Sequence, residues 1–116
     1  MSMEPDLRVS VLEGRRTVYG DPEIRLLEAI SQYGTLTDGA AALGLSYRCA
    51  WGKIKAVEAK LGQKLLESTV GGSGGGSSRL TDTAQRLVDQ YSRFRVAVGD
   101  YAQREFERCF AEEEQP

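Results

Sequence analysis

Apolar residues at helical spacing mark the first predicted helix of the chain. The positions are Ile24, Leu27 and Ile30. They recur every third residue, as on one face of an α-helix. Asp21 is a candidate N-cap, because Pro22 follows it and suits the first helical position. The pattern ends at Gly34, a residue type that often ends helices in the left-handed conformation.

A second and a third helix follow after short turns. Thr35 is a candidate cap for the second helix, with an acidic residue three positions later as in a capping box. That helix ends at Gly44, and Ser46 can cap a third helix that runs to about Lys60. Two helices joined by a tight turn that contains glycine indicate a helix-turn-helix over about residues 35–60.

The third predicted helix has an apolar face and an opposite face of basic and small residues. At 100° per residue the predicted core face holds Ala50, Trp51, Ile54, Val57 and Leu61. The opposite face, called the outer face below, holds Arg48, Cys49, Gly52, Lys55, Ala56 and Ala59. A glycine within a helix costs ~1 kcal/mol relative to alanine. Gly52 is useful where the backbone must approach base edges in a major groove, and is merely tolerated on a solvated face.

Shorter alternating segments predict two β-hairpins. The sequences "LRVSVL" at residues 7–12 and "RRTVY" at residues 15–19 are rich in β-branched residues and flank a turn at Glu13 and Gly14. A second pair of short strands is predicted within residues 65–81, on either side of a glycine-rich segment.

This glycine-rich segment, "TVGGSGGGSSR" from Thr69 to Arg79, fits a tether, a phosphate-binding loop or the tip of a hairpin. A tether would need a C-terminal part that folds alone, and a nucleotide-binding loop would need a lysine that this segment lacks. We therefore interpret residues 65–81 as a hairpin wing. Its glycines tolerate positive φ and can bring bare N–H groups to phosphate oxygens.

Apolar residues in the C-terminal part of the chain alternate between spacings of three and four, as in a coiled-coil seam. They are Ala84, Leu87, Tyr91, Phe94, Val98 and Tyr101. With Thr81 as its cap, a helix from Asp82 to Phe110 would be on the order of 43 Å long, more than a small domain can cover. We expect the residues from Leu87 onward to pair with a second copy of the chain. A helix that folds back onto its own domain is the alternative.

The net charge of −2 does not by itself favour a nucleic-acid partner, but the basic residues are concentrated in one part of the chain. Residues 46–80 contain six lysines and arginines and two acidic residues, whereas both flanking parts are acidic. A basic patch of this kind attracts a polyanion even when the whole chain is acidic. Chance clustering on a solvated face is the other interpretation.

The composition argues against several classes of function. With no histidine and only Cys49 and Cys109 as thiols, we expect no zinc finger, no metal, no cofactor and no enzyme. Cys49 is more simply a small filler than a redox switch. The N-terminus lacks the pattern of a secretory signal, and no apolar run reaches the ~20 residues of a membrane helix. The expectation is a cytoplasmic protein with one small core.

Three segments resemble the N-terminal DNA-binding domain of the molybdate-responsive ModE-type regulators, which are relatives of the LysR-type winged helix-turn-helix. They are "LLEAISQYGTLTDGAAALGLSYRCAW", "GGSGGG" and "RLTDTAQRLVDQY". The resemblance runs from about Gly20 to Tyr91. It implies a homodimer joined through the last helix, recognition helices in successive major grooves, wings along the DNA backbone, and transcriptional control linked to molybdenum supply.

Two departures from the ModE pattern change what the resemblance implies. Full-length members carry C-terminal oxyanion-binding domains, whereas this chain ends at Pro116. We therefore expect no ligand sensor in the chain, and a separate oxyanion-sensing protein becomes a candidate partner. Relatives often carry a basic residue at the position of Ser73, so serine there predicts weaker attraction of the wing to phosphate. Arg79 and backbone amides would then make the contacts.

The expected fold is mainly α with a small β component. It is a winged helix-turn-helix over residues 1–81, with an N-terminal β-hairpin, followed by a long dimerisation helix and an acidic tail over residues 82–116. The leading function is a dimeric regulator that binds specific sequences in double-stranded DNA. The alternative is a protein-interaction module, in which the last helix pairs with a separate sensor subunit.

The predicted DNA-binding residues lie at the start of the second helix, on the third helix and in the wing. They are Thr35, Thr37, Ser46, Tyr47, Arg48, Gly52, Lys53, Lys55, Thr69, Gly71, Gly72 and Arg79. Arg48 can make two hydrogen bonds to a guanine edge, and Lys53 is expected to contact phosphate. Tyr47 can equally pack in the core, and Thr35 and Thr37 can act as caps alone.

Overall fold

The computed structural model describes residues 3–69 and 77–111. Within these residues the chain forms four helices and two antiparallel hairpins, β1 with β2 and β3 with β4. The elements are β1 (Ser10–Glu13), β2 (Arg16–Gly20), α1 (Asp21–Tyr33), α2 (Leu36–Ala42), α3 (Tyr47–Leu61), β3 (Leu66–Thr69), β4 (Ser77–Leu80) and α4 (Asp82–Ala111). The predicted fold class, mainly α with a small β component, is confirmed.

Local sequence signals set the ends of most helices. The hydroxyls of Thr35, Ser46 and Thr81 each accept a hydrogen bond from the backbone N–H three residues later, at 2.9, 3.1 and 3.2 Å. Each cap satisfies an N–H that has no partner within its helix. Gly34 and Gly62 end α1 and α3 with φ values of 86° and 68°, a conformation that favours glycine.

The N-terminal hairpin is shorter than predicted, since β1 begins at Ser10 rather than at Leu7. Carbonyl oxygens before Ser10 are bound outside the hairpin. The Leu7 oxygen accepts a hydrogen bond from Arg95 of α4 at 3.0 Å, and the Val9 oxygen accepts one from the N–H of Asp21 at 3.2 Å. The β-like sequence pattern extends through this segment, but α1 and α4 fix its backbone instead of β2.

Asp21 does not cap α1, which corrects the prediction. Gly20 is the N-cap, and the Glu23 carboxylate accepts a hydrogen bond from the Gly20 N–H at 2.7 Å. The Asp21 carboxylate instead accepts hydrogen bonds from the Tyr91 hydroxyl and from the Arg95 guanidinium, the latter at 3.1 Å. Burial raises the pKa of this carboxyl, but these hydrogen bonds and the charge of Arg95 outweigh it. The pKa of Asp21 therefore lies below its ordinary value.

Replacing Asp21 with asparagine is expected to destabilise the fold by about 1.5–3 kcal/mol at neutral pH, because hydrogen bonds to a charged group are lost. Since the pKa of Asp21 is lower in the folded chain, its contribution is present above the unfolded pKa of about 4 and is lost as the pH falls through the folded pKa. Urea unfolding measured from about pH 7 to pH 3 should show the difference between variant and wild type shrinking at the acidic end.

The control for this experiment is Asp89→Asn, which removes an exposed carboxylate of α4 that accepts a hydrogen bond from Gln85. Its unfolding curves should follow those of the wild type. A difference between Asp21→Asn and wild type that is equally large at every pH would contradict the role assigned to the Asp21 charge.

The core lies between α1, α2, α3 and the first part of α4. Its largest fully buried side chains are Leu26, Leu27, Ile30 and Leu65, each less than 2% exposed. α2 crosses α1 at Gly39, where an added Cβ would lie 2.8 Å from the backbone nitrogen of Ile30. This close approach holds α2 on α1 and so positions the turn that leads into α3.

The C-terminal part of α4 projects from the domain. α4 has 30 residues, and its buried residues, Ala84, Val88 and Tyr91, all lie in its first third. Further along, Phe94 and Tyr101 are 57% and 60% exposed, and the molecule measures 68 Å along its longest axis against 34 and 22 Å. The alternative of a last helix that folds back onto its own domain therefore does not hold beyond its first third.

Tyr91 is not available for the predicted seam between two copies. Its side chain is 4% exposed and packs against Tyr19, with ring centres 5.9 Å apart, while its hydroxyl binds Asp21. Burial and the Asp21 hydrogen bond raise the pKa of Tyr91. Leu87 is also partly buried against the core of its own chain. The start of α4 packs on its own domain, so the exposed part of the predicted seam begins at Phe94.

Candidate nucleic-acid interface

The outer face of α3 is exposed, as the sequence predicts. All six of its residues, Arg48, Cys49, Gly52, Lys55, Ala56 and Ala59, are exposed. An added Cβ at Gly52 would meet nothing within 4 Å. Among the described residues Arg48 has no ion-pair partner, so its guanidinium can bind an external group. A charged, thinly covered helix face of this kind suits close approach to a polyanion.

Trp51 lies on the outside of α3, although the periodicity placed it in the core. Its side chain is 47% exposed, and the Lys55 Nζ lies 5.5 Å from the centre of the indole ring. Tyr47, one turn earlier, is 55% exposed and does not pack in the core either. The buried residues of α3 are Ala50, Ile54 and Val57. Because this buried face is narrow, an apolar residue one position after Ala50 already lies outside it.

A groove of about 600 Å³ lies between α2, α3 and the hairpin of β3 and β4. Its lining includes Thr35, Thr37, Tyr47, Trp51, Lys55 and Lys64. The structure thus brings together four predicted DNA-binding residues from the start of α2 and from α3. Arg48 and Gly52 are exposed on α3, and Ser46 is exposed at its N-cap, but none of the three lines this groove.

Lys53 lies on another side of α3. Its Nζ is 3.8 Å from the Glu23 carboxylate of α1, and its side chain is 33% exposed. Since α3 turns by about 100° per residue, Lys53 faces α1 whereas Lys55 faces the groove. A phosphate contact by Lys53 stays a prediction, and it would compete with the ion pair to Glu23.

The wing residues are described only in part. Thr69 ends β3, and Arg79 is exposed on β4 opposite Glu67 in the strand register. Gly71 and Gly72, like Ser73, lie outside the described residues, so their predicted contacts with DNA stay predictions.

Hydrogen bonds fix both strands of the wing to the helices. The Glu58 carboxylate of α3 accepts one from the N–H of Leu65, just before β3, at 2.8 Å. The Gly34 carbonyl accepts one from the N–H of Ser78 on β4 at 2.9 Å. Burial raises the pKa of Glu58, but the bonds from Leu65 and Lys55 outweigh it, so the pKa of Glu58 is lowered and its charge persists at neutral pH.

Three residues that line this groove are absent from the predicted site: Trp51, Glu58 and Lys64. Tyr47, Trp51 and Lys55 are spaced four residues apart, which places them in one row along a helix. Glu58 follows Lys55 by three residues, the spacing of a helical ion pair. Lys64 comes after α3 ends, so its position depends on the packing of the wing and has no local signal.

Within residues 3–69 and 77–111, no group of three or more His, Cys, Asp or Glu side chains could hold a metal ion. No helix in the same ranges is long and apolar enough to span a membrane. Cys49 and Cys109 are both free and exposed.

The sequence matches the family of bacterial regulatory helix-turn-helix proteins of the lysR family over residues 23–85, more than half of the 116 residues. The matched range includes α2, α3 and the wing, the elements that form the groove.

Curated relatives match the same part of the chain. The molybdenum-pterin-binding protein MopA of Rhodobacter capsulatus is 41% identical over 69 residues, which cover 60% of this chain and 26% of MopA. The DNA-binding transcriptional dual regulator ModE of Escherichia coli is 36% identical over 81 residues, which cover 69% of this chain and 31% of ModE. The chain thus spans less than a third of the length of these two relatives.

Solved structures show the same fold. The DNA complex of the CbnR DNA-binding domain superposes with a TM-score of 0.60 at 23% identity, covering 76% of this chain and 95% of that one. ArgP from Mycobacterium tuberculosis gives a TM-score of 0.52 at 18% identity, covering 82% of this chain and 31% of ArgP. The predicted winged helix-turn-helix fold and the resemblance to ModE-type regulators are confirmed.

Proposed function

Because the chain belongs to the lysR family of bacterial regulatory helix-turn-helix proteins, we propose that it is a DNA-binding transcriptional regulator of the ModE type. In this proposal α3 enters the major groove of double-stranded DNA, and the wing lies along the adjacent backbone. Membership of a regulatory family agrees with the expectation that the chain is not an enzyme.

The observation that carries the proposal is the outer face of α3. It presents Arg48 and Lys55 among small residues, and an added side chain at Gly52 would meet open space. Glycine in a helix interior costs ~1 kcal/mol, and the open space at Gly52 leaves the backbone of α3 accessible to close approach by a ligand. The neighbouring groove adds Lys64 and the two exposed aromatic rings.

The proposed active form is a homodimer joined through the C-terminal part of α4. Support comes from Phe94 and Tyr101, large apolar side chains that are more than half exposed. A two-fold axis through this helix would present two copies of α3 to successive major grooves on one side of the duplex. An alternative partner for the same residues is a separate sensor protein, which would make the chain an interaction module.

A link to molybdenum or another oxyanion is part of the proposal, because MopA is a molybdenum-pterin-binding protein and ModE is named as a molybdenum transport protein in Azotobacter vinelandii. A separate oxyanion-sensing protein is a candidate partner. As a regulator that meets chromosomal DNA, the protein would act in the cytoplasm.

Enrichment of bound duplexes from random-sequence DNA tests the function directly. We expect an inverted repeat whose half-sites are one helical turn, or a multiple of it, apart. Binding can be followed through the fluorescence of Trp51, the single tryptophan of the chain, which lines the groove. Affinity should fall about a hundredfold or more between about 50 and 200 mM salt, because several counterions are released. A folded protein that enriches no sequence would favour the interaction module.

Replacing Arg48 with alanine should cost about 1–3 kcal/mol of discrimination at one base pair of each half-site, because a bidentate contact with a guanine is lost. The measurement is competition between duplexes that differ at single positions. Arg25→Ala is the matched control, since Arg25 is exposed on α1 and should leave base preference unchanged. If Arg48→Ala keeps both affinity and base preference, α3 is not the reading helix.

A further inference from the structure

Lys55 is the one basic residue of the outer face that is held by neighbouring side chains in the described structure. Its Nζ lies 3.1 Å from the Glu58 carboxylate and 5.5 Å from the centre of the Trp51 ring. Arg48, the other basic residue of this face, has no such ion pair among the described residues. Lys55 therefore lines the groove with its charge already paired.

Glu58 is fixed in place by a second contact. While its Oε1 pairs with Lys55, its Oε2 accepts a hydrogen bond from the N–H of Leu65 at 2.8 Å. The Glu58 side chain is 12% exposed, whereas that of Lys55 is 46% exposed. When Lys55 moves toward an external anion, the carboxylate cannot follow it without releasing the base of the wing.

We propose that Glu58 is a positioning residue that competes with DNA phosphate for Lys55 and thereby limits the affinity of the groove for DNA. The inference rests on the proposed function, since the competitor is a phosphate of the duplex. An ammonium that is paired with a carboxylate neutralises less phosphate charge and releases fewer counterions from the DNA. The same carboxylate keeps the wing at a fixed distance from α3 through Leu65.

Two substitutions of Glu58 separate these roles. Glu58→Gln removes the charge but keeps an oxygen that can accept the hydrogen bond from Leu65. We expect it to raise the affinity for a duplex of about 25 base pairs and mixed sequence by about two- to fivefold per subunit. The slope of log affinity against log salt should steepen by about 0.9 per subunit, because Lys55 then releases a counterion. Glu58→Ala also frees the wing, so it should bind more weakly than Glu58→Gln.

Lys55→Met gives the decisive comparison, because methionine keeps the apolar stem and removes the charge. With methionine at position 55, Glu58→Gln should raise affinity and steepen the salt slope no more than the control substitution does. The matched control is Glu28→Gln, which removes an exposed carboxylate from α1 that does not line the groove. Its effect, due to the general change in charge, should be the same with lysine or methionine at position 55. The titrations use the anisotropy of a labelled duplex between about 50 and 200 mM salt.

The outcomes distinguish this inference from the proposed function. If the wild type shows no salt-dependent binding to duplex DNA, the proposed function fails. If the wild type binds but Glu58→Gln acts equally with lysine or methionine at position 55, or weakens binding while remaining folded, the competition is refuted. Should Glu58→Gln lower the thermal midpoint strongly, the titrations are made at a temperature at which this variant is folded, and the comparison between lysine and methionine at position 55 still decides.

Discussion

Replacing both Phe94 and Tyr101 with glutamate is expected to convert the proposed dimer into monomers and to lower affinity for a duplex with two half-sites by about a hundredfold or more. Both side chains are more than half exposed on the part of α4 that projects from the domain. They are seven residues apart and so lie on one side of the helix. Carboxylates there would have to be buried without partners in the interface. Light scattering and titration with the inverted repeat measure the two effects.

Gln103→Glu is the control for this experiment. Gln103 lies nine residues after Phe94, on the opposite side of α4, and its amide donates a hydrogen bond to Glu107. That variant should remain a dimer with wild-type affinity. A double variant that stays dimeric, or a wild type that is monomeric yet binds both half-sites with full affinity, would contradict dimerisation through α4. A monomeric wild type that cross-links to another protein through Phe94 would identify the interaction module.

Gly39→Ala should destabilise the fold by about 1–3 kcal/mol even though alanine favours helices. The added methyl group would lie 2.8 Å from the backbone nitrogen and 2.9 Å from the Cγ1 of Ile30, closer than carbon atoms can approach. α2 would have to move away from α1, and the start of α3 would move with it. Urea unfolding measures the loss of stability.

Gly52→Ala is the matched substitution, because its methyl group would meet nothing within 4 Å. It should raise the free energy of unfolding by up to about 1 kcal/mol. If the outer face of α3 touches DNA, the same variant should bind the operator more weakly despite its greater stability. If the Gly39→Ala variant is as stable as the wild type, the close packing of α2 on α1 is refuted. If the Gly52→Ala variant binds the operator with unchanged affinity, Gly52 lies away from DNA.

The features that could be predicted from the sequence are those with short-range causes. The caps at Thr35, Ser46 and Thr81 depend on groups three residues away, so the sequence identifies them. Asp21 has the residue type of a cap, but its partners Tyr91 and Arg95 lie at least 70 residues later in the chain. Whether Asp21 caps α1 or binds Tyr91 and Arg95 depends on tertiary packing. The local sequence around Asp21 does not contain that information.

The helix faces also depend partly on local sequence and partly on tertiary packing. The outer face of α3 follows from periodicity, since polar and small residues recur there at helical spacing. The boundary of the core face does not, because it depends on how much of α3 the other elements cover. Periodicity therefore predicts that Trp51 is in the core, whereas it is 47% exposed. The spacing of Tyr91 continues that of Phe94 and so predicts a seam between copies, but the hydroxyl and ring of Tyr91 have partners within the chain.

The two cysteines allow a direct test of the claim that the outer face of α3 meets DNA. Cys49 lies on that face and Cys109 near the far end of α4, and both are free and exposed. The measurement is the rate of alkylation of each thiol by iodoacetamide, followed by mass spectrometry, with and without a saturating inverted-repeat duplex. Bound DNA should slow the reaction of Cys49 at least about tenfold and leave Cys109 unchanged. Equal reactivity of Cys49 in the free protein and in the complex would contradict the account.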